Sequence, residues 1–352
     1  EPGETPNATT SVMFEVVSKP PVALGYDYWL VDDPALVEHA PKRPEGEPIP
    51  GEPPFTVEGN GDGVLQPGEK VLLAFSARND GPGKSLDVRA VLRNLSGKQG
   101  LLEEGLVPIG ELPPGAIRNG AFGITIADDA DPALPFEVEL TVGDAVLRTS
   151  ARHKLRFRIH GTGESFVPGE ASFRVADEPV RAYAGAHGSS PLAAELPVGA
   201  EIRTIGTVGG TRGWKVVPAD VPGRRVFVPG DLSALQPIEE GGEAVVVRPA
   251  VVPPTIEVEP HPRVTSAERI ELRGVVTHPD RVRDVVVLVR PPGPAQIDRK
   301  VAYAANKSED GRLSFRADLP LEPGGNRVII VARDGAKVEQ RHDLWVYRDP
   351  GP

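Results

Sequence analysis

Short stretches in which apolar and polar residues alternate recur along most of this chain, and clusters of Gly, Pro, Asn and Asp separate them. Alternation with a period of two marks half-buried strands, because successive side chains point to opposite faces. The pattern is clearest between residues 255 and 348. There TIEVEP, RIELRGVVTH, VVVLV, RKVAY, RLSFRADLPL, NRVIIVARD and HDLWVYR read as seven strands in under about 100 residues. Upstream, residues 55–160 predict strands at Val71–Arg78, Leu86–Asn94, Ala121–Ile126, Phe136–Val142 and Lys154–Ile159. The turns between them are NDGPG, LSGKQG, LPPGA and DDADP. No segment between these strands has a helical period.

Residues 165–237 have a different texture. Short strands are joined by Gly-rich hairpins, with Pro197–Gly199 before one strand, Gly213–Trp214 midway and Phe227–Leu232 at the end. This spacing resembles the bacterial SH3-like small barrel. The count and length of strands in 255–348 match an immunoglobulin-like β-sandwich. Residues 55–160 read as another, because the order NGDG, PGE, an apolar strand and RNDGPG resembles adhesion-type immunoglobulin-like domains of exported bacterial proteins. The expected fold class is therefore all-β and multidomain. Residues 1–54 form an extended proline-rich leader, followed by an Ig-like sandwich (55–160), an SH3-like barrel (165–237), a short linker (238–254) and a second Ig-like sandwich (255–348). Within the leader, SVMFEVVS (Ser11–Ser18) reads as one strand, and the aromatic-rich Ala23–Pro34 as a segment that docks on the next domain.

Composition fits this reading. Gly and Pro number 39 each in 352 residues, which supports many turns without reaching a disordered composition. The net charge is −11, with no basic cluster, so nucleic acid and anionic membranes are not expected partners. No apolar run approaches the roughly 20 residues of a membrane-spanning helix. Cysteine is absent, which excludes disulfides and thiolate metal sites.

The segment Glu58–Glu69, EGNGDGVLQPGE, carries the most suggestive chemistry. Glu58, Asn60, Asp62, the Val64 carbonyl, Gln66 and Glu69 occupy positions 1, 3, 5, 7, 9 and 12 of a calcium loop, with Gly63 at the turn. Six prolines in Ala40–Pro54 rule out the preceding helix of an EF-hand, and a strand follows directly. Two readings remain: a calcium site in a β-domain loop, or a solvated Asx/Gly turn, which the flanking residues favour. In the barrel segment, Tyr183, Trp214 and Phe227 are candidates for binding a peptide or cell-wall fragment. The alternative is that they fill the small core.

Catalytic patterns are not found. There is no phosphate loop before a helix, no HExxH, no GxSxG and no SxxK. The seven histidines are scattered. Ser189 and Ser190 lie close to His187 in a Gly-flanked loop, which reads as a hairpin tip. Glu257, Glu259 and Glu271 fit a solvated sheet face.

The C-terminal third supplies a family resemblance. KVAY, LSFRADLPLEPGGN, VARD and the closing WVYR resemble the end of carboxyl-terminal processing (tail-specific) serine peptidases, in the large exported forms of myxobacteria and their relatives. NGDG…PGE…RNDGPG and HKLRF agree with the same domain series. That family uses a Ser/Lys dyad in a protease core behind a PDZ domain, and no position here matches either motif. The resemblance implies a non-catalytic accessory region of such an enzyme, periplasmic or extracellular, with a cognate protease domain as partner. A chain opening at Glu1 is then expected to be part of a longer polypeptide. The other expectation is a cell-surface adhesive or structural β-protein. It would self-assemble through other β-domain chains or bind cell wall or glycan, with calcium as the one candidate ion.

Overall fold

The structure is a computed structural model and describes residues 22–41, 55–210, 213–221, 223–230, 233–242, 244–247, 252–293, 297–308 and 310–351. The strand expected at Ser11–Ser18 and the prolines of 42–54 lie outside these residues. The fold is all-β, as the alternation predicts. Two 3-10 turns, Pro34–Leu36 and Gly97–Gln99, are the helical elements among the described residues. None of the helices described is long and apolar enough to cross a membrane.

The first unit contains β1 (Leu24–Val31), β2 (Lys70–Asn79), β3 (Ser85–Asn94), β4 (Gly100–Leu102), β5 (Leu106–Leu112), β6 (Ile117–Ile126), β7 (Phe136–Asp144) and β8 (Thr149–Phe157). One sheet runs β1-β2-β6-β4 and the facing one β8-β7-β3-β5. Between them lie Leu73, Phe75, Phe122 and Ile124 on one side and Val88, Ala90, Leu140 and Val142 on the other, all fully buried. This is a β-sandwich. The expected leader boundary at residue 54 is corrected here: Leu24–Val31 is a strand of the sandwich, paired with β2 from Leu24↔Asn79 to Val31↔Leu72. Its sequence LGYDYWLV is nearly continuously apolar because both faces are covered. Leu24 and Tyr26 enter the sandwich core, and the Tyr26 hydroxyl donates to the Leu140 carbonyl across it at 3.1 Å. Trp29 and Val31 face a second cluster with Val57, Leu72, Ala74 and Ala121.

The middle unit contains β9 (Phe166–Val175), β10 (Val180–Tyr183), β11 (Leu192–Leu196), β12 (Glu201–Val208), β13 (Trp214–Pro218), β14 (Arg225–Pro229) and β15 (Leu235–Ile238). They form one sheet in the order β11-β10-β14-β13-β12-β9-β15. The expected barrel is not closed: among the described residues no pairing joins β11 to β15. The β10–β14 seam has the register pair Tyr183↔Phe227, and side-chain packing ties the β10–β11 hairpin to the rest, with Val180, Ala182, Ala194 and Leu196 in one core with Val217, Val226 and Val228.

The third unit contains β16 (Thr255–Val258), β17 (Val264–Thr265), β18 (Arg269–Thr277), β19 (Val282–Arg290), β20 (Arg299–Ala305), β21 (Arg312–Pro320), β22 (Gly324–Asp334) and β23 (Glu339–Arg348). A sheet β16-β18-β21 packs on the face of β20-β19-β22-β23 over a core of Leu272, Val276, Val287, Leu319, Val328 and Ile330. This is a second β-sandwich.

The two sandwiches share a sheet. β23 pairs antiparallel with β8 through Glu339↔Arg152, Gln340↔Ala151 and Arg341↔Ser150. The result is a single nine-stranded sheet in the order β20-β19-β22-β23-β8-β7-β3-β5, with β17 attached to β23. Val338, in the turn before β23, is 2% exposed and belongs to the core of the first sandwich.

Candidate functional site

The segment Glu58–Glu69 folds as a tight polar loop whose side chains bind one another. The Asn60 Oδ1 accepts from the Asp62 amide at 3.0 Å, an Asx turn, and Asp62 Oδ1 accepts from the Val64 amide at 2.9 Å. Asp62 Oδ2 accepts from Gln66 Nε2 at 3.0 Å and from Asn60 Nδ2 at 3.2 Å. Glu69 accepts from the Gln66 amide at 2.8 Å. A residue from outside the loop joins them: Asp32, at the end of β1, accepts from the Gly63 amide at 2.8 Å. Asp32, Asp62 and Glu69 are all buried. Burial disfavours the charged form. It pushes the Asp32 carboxyl up to about 7 and that of Glu69 up to about 8, and the neighbouring carboxylates add to both shifts. Asp62 is also raised by burial, against the hydrogen bonds it accepts.

Of the expected calcium ligands, Asn60, Asp62, Gln66 and Glu69 converge and Glu58 does not. Glu58 turns outward to an exposed ion pair with Lys70 at 2.9 Å. Asp32 takes its place in the cluster, a substitution that loop spacing cannot reveal. Three buried carboxylates are donors of the kind a hard cation takes. As the loop stands, however, N–H donors fill Asp62. Among the described residues no group of three or more His, Cys, Asp and Glu side chains is arranged to hold a metal ion.

The loop is also the joint between the first sandwich and the middle sheet. Its carbonyls accept from that side, Phe166 N to Asn60 O at 2.8 Å and Ala186 N to Asp62 O at 2.7 Å, and from the connecting segment after β8, His160 N to Leu65 O at 2.7 Å. The contact is too close for a side chain on Gly63. A Cβ there would sit 2.6 Å from Phe227 Cε2, 2.9 Å from the Ala184 carbonyl and 2.9 Å from Gly185 Cα, and the backbone has φ +73. The glycines of the loop therefore serve contact as well as turning.

This contact changes the reading of the three aromatics. Phe227 is 2% exposed and packs with Val208 and Val216 beneath Gly63, so it is a core residue and not a ligand platform. Tyr183 and Trp214 meet edge to face at 5.7 Å between ring centroids and are both half-buried. Tyr183 lines an open cleft of about 380 Å³ with Glu178, Arg181, Glu195 and Pro229; Trp214 does not line it.

Two ion pairs reinforce the joint. Arg224 binds Asp27 of β1, with both side chains nearly buried, and its guanidinium lies 5.7 Å from the Trp29 ring. Arg225 binds Asp33 at 2.7 Å and lies 4.1 Å from the Phe166 ring. The adjacent Arg224 and Arg225 thus reach Asp27 and Asp33, about 200 residues earlier, and nothing in the sequence spacing predicts these partners.

Among the described residues, the serine–histidine contact is local. His187 Nδ1 is 2.8 Å from Ser189 Oγ, and it also faces the Ser189 amide at 3.1 Å. The ring lies against His160, tilted by 50° with centroids 4.3 Å apart, and burial lowers the pKa of His160, with the neighbouring imidazole adding to the effect. A turn of three residues accounts for this geometry.

No protein-family model matches the chain, and no curated protein matches it. Among solved structures it is similar to dimeric latent PorU from Porphyromonas gingivalis, at 12% identity and TM-score 0.20 over 92% of this chain and 34% of that one. It is also similar to trypsin-activated alpha-2-macroglobulin from Escherichia coli, at 11% identity and TM-score 0.20 over 96% of this chain and 24% of that one. The chain thus spans about a third and a quarter of those proteins, and likeness at this level carries no argument about function.

Proposed function

We propose that this chain is a non-catalytic accessory region of an exported serine peptidase of the carboxyl-terminal processing type, built of two Ig-like sandwiches and an SH3-like sheet. Its task is to hold a catalytic domain or a protein partner in a fixed position. The observation that carries this reading is the sheet that runs unbroken from β20 to β5 through the β8–β23 seam. Edge-to-edge pairing of two sandwiches, plugged by Val338, couples them as a single support. The Gly63 joint and the two Arg–Asp pairs do the same for the middle sheet. The resemblance of KVAY, LSFRADLPLEPGGN and WVYR to the peptidase tail supplies the enzyme class. The buried carboxylates and Phe227, the groups closest in kind to a reactive or binding site, are engaged in the joint.

The test is to incubate the purified chain with β-casein, and separately to measure its binding to the protease core encoded upstream of it. The reading expects intact casein and a complex stable to gel filtration. Casein cleavage that co-purifies with the chain, or no binding to that core at micromolar concentration, overturns it.

A further inference from the structure

The last strand carries an aromatic surface that the joint and the seam do not use. Trp345 and Tyr347 are 52% and 51% exposed and lie two residues apart on the outer face of β23, with Val264 of β17 beside Tyr347 in register and also exposed. Buried aromatics would need no explanation, but two half-exposed ones side by side on a sheet do. The indole lies across the sheet. Its six-membered ring reaches diagonally to Gly325 of β22, where a Cβ would meet Cε3 at 3.6 Å and Cζ3 at 3.7 Å. With no side chain on Gly325, the Trp345 ring rests on the strand beside exposed Tyr347, and the two aromatics form a shelf open to solvent.

The polar border of the shelf is fixed and positive. On the same face Arg327 and Arg341 both bind Asp343, the second at 2.8 Å, and Arg290 binds Asp298 at 2.7 Å. Asp298 also senses the charges of Arg327 and Arg341, so the five groups act as one network. Three guanidiniums on two carboxylates leave one surplus positive charge beside Trp345, in a chain of net charge −11. At the Tyr347 end, exposed Arg263 and Asp349 offset each other.

Area decides between a protein and a smaller repeating ligand. Half of two aromatic side chains, with Val264, amounts to about 300 Å² of apolar surface. A stable protein partner covers about 800 Å² on each side. The shelf is too small for such a partner and large enough for sugar rings, whose apolar faces stack on aromatic planes while their charged substituents reach arginine.

We propose that the outer face of β23, around Trp345 and Tyr347, binds an anionic polysaccharide. The sugars stack on the two rings, and their carboxylates lie against the Arg290–Arg327–Arg341 border.

The test is native affinity electrophoresis of the full chain in gels containing alginate, a polyuronate, or neutral dextran. Alginate is expected to retard the protein, and dextran is not. Trp345→Ala with Tyr347→Ala weakens the apparent affinity at least about tenfold, since two stacking contacts are lost. Tyr303→Ala, an exposed aromatic on edge strand β20, leaves it unchanged. Both Trp345 and Tyr347 are half exposed, so the double variant should keep the wild-type circular dichroism spectrum and gel-filtration volume, which are measured alongside. The proposal is overturned if alginate does not retard the wild type, if the double variant is retarded equally, or if dextran retards it as strongly. Capture of random-sequence peptides by the same face in place of alginate also overturns it.

Discussion

Replacing Gly63 with alanine tests the joint at its tightest point. Two costs act on this substitution. The backbone there is left-handed, with φ +73, a conformation that costs an L-residue about 1–2 kcal/mol. The new methyl would also overlap Phe227 Cε2 at 2.6 Å, where one opposing surface is backbone and the other a buried ring with no room to retreat. Overpacking of this kind costs about 1–3 kcal/mol, so the expected loss is about 2–5 kcal/mol. Gly97 separates the two terms. It also has positive φ, +60, but open space around its Cβ, so Gly97→Ala should cost only the backbone part. Because the chain has several units, a single unfolding midpoint is a poor readout. Hydrogen exchange of the Phe166 and Ala186 amides reads the joint directly, since these donate to the loop carbonyls from the middle unit. Gly63→Ala should speed their exchange by at least about thirtyfold, corresponding to about 2 kcal/mol. Gly97→Ala should leave them unchanged. Equal exchange in the two variants would refute the close-packed joint.

Three further expectations follow from the same contacts. Arg224→Ala removes the guanidinium from nearly buried Asp27, which keeps the Tyr28 amide, and should destabilise by about 3 kcal/mol, whereas Arg269→Ala, in a fully exposed pair with Asp318, should leave urea unfolding unchanged. The joint should loosen as pH rises: folded-state values of about 7 for Asp32 and about 8 for Glu69 lie above those of an unfolded chain, so their stabilisation is complete at acidic pH and is lost up to about pH 8. The His160 shift acts in the opposite sense below about pH 6.5 but is one group against two, so protection of the Ala186 amide, corrected for intrinsic exchange, should fall from about pH 4 to about pH 8, and Asp32→Asn should flatten that decline. Calcium competes with protons for the same carboxylates, so any rise in unfolding temperature with millimolar calcium should be larger at pH 9 than at pH 6 and should depend on Asp32 but not Glu58.

Strand positions were legible because each buries one face. NRVIIVARD predicts Asn326–Asp334 and the structure has Gly324–Asp334; Phe136–Val142 became Phe136–Asp144. Contacts between units were not legible. The β8–β23 seam joins main-chain pairing to a buried Gln340–Thr149 hydrogen bond and an Arg152–Glu339 ion pair, residue types that announce no partner in the sequence. Asp32 is separated from Glu58 by a proline-rich stretch, so no loop motif could enlist it. Phe227 stayed open between ligand site and core filler because an aromatic in a small β unit looks the same in sequence whether it lines a surface or a core. Its neighbour Gly63, over 160 residues earlier, decides the matter.

The claim that the chain is one support stands or falls on the distance across its shared sheet. The absence of native cysteine allows spin labels at two introduced sites, Leu106→Cys on β5 and Tyr303→Cys on β20, both exposed at opposite edges. Seven inter-strand steps of about 4.8 Å place these edges about 34 Å apart before twist. Pulsed electron-spin distance measurement should give one narrow population near that value, and Val338→Asp should broaden it. A broad or bimodal distribution in the otherwise unaltered chain would contradict a fused scaffold.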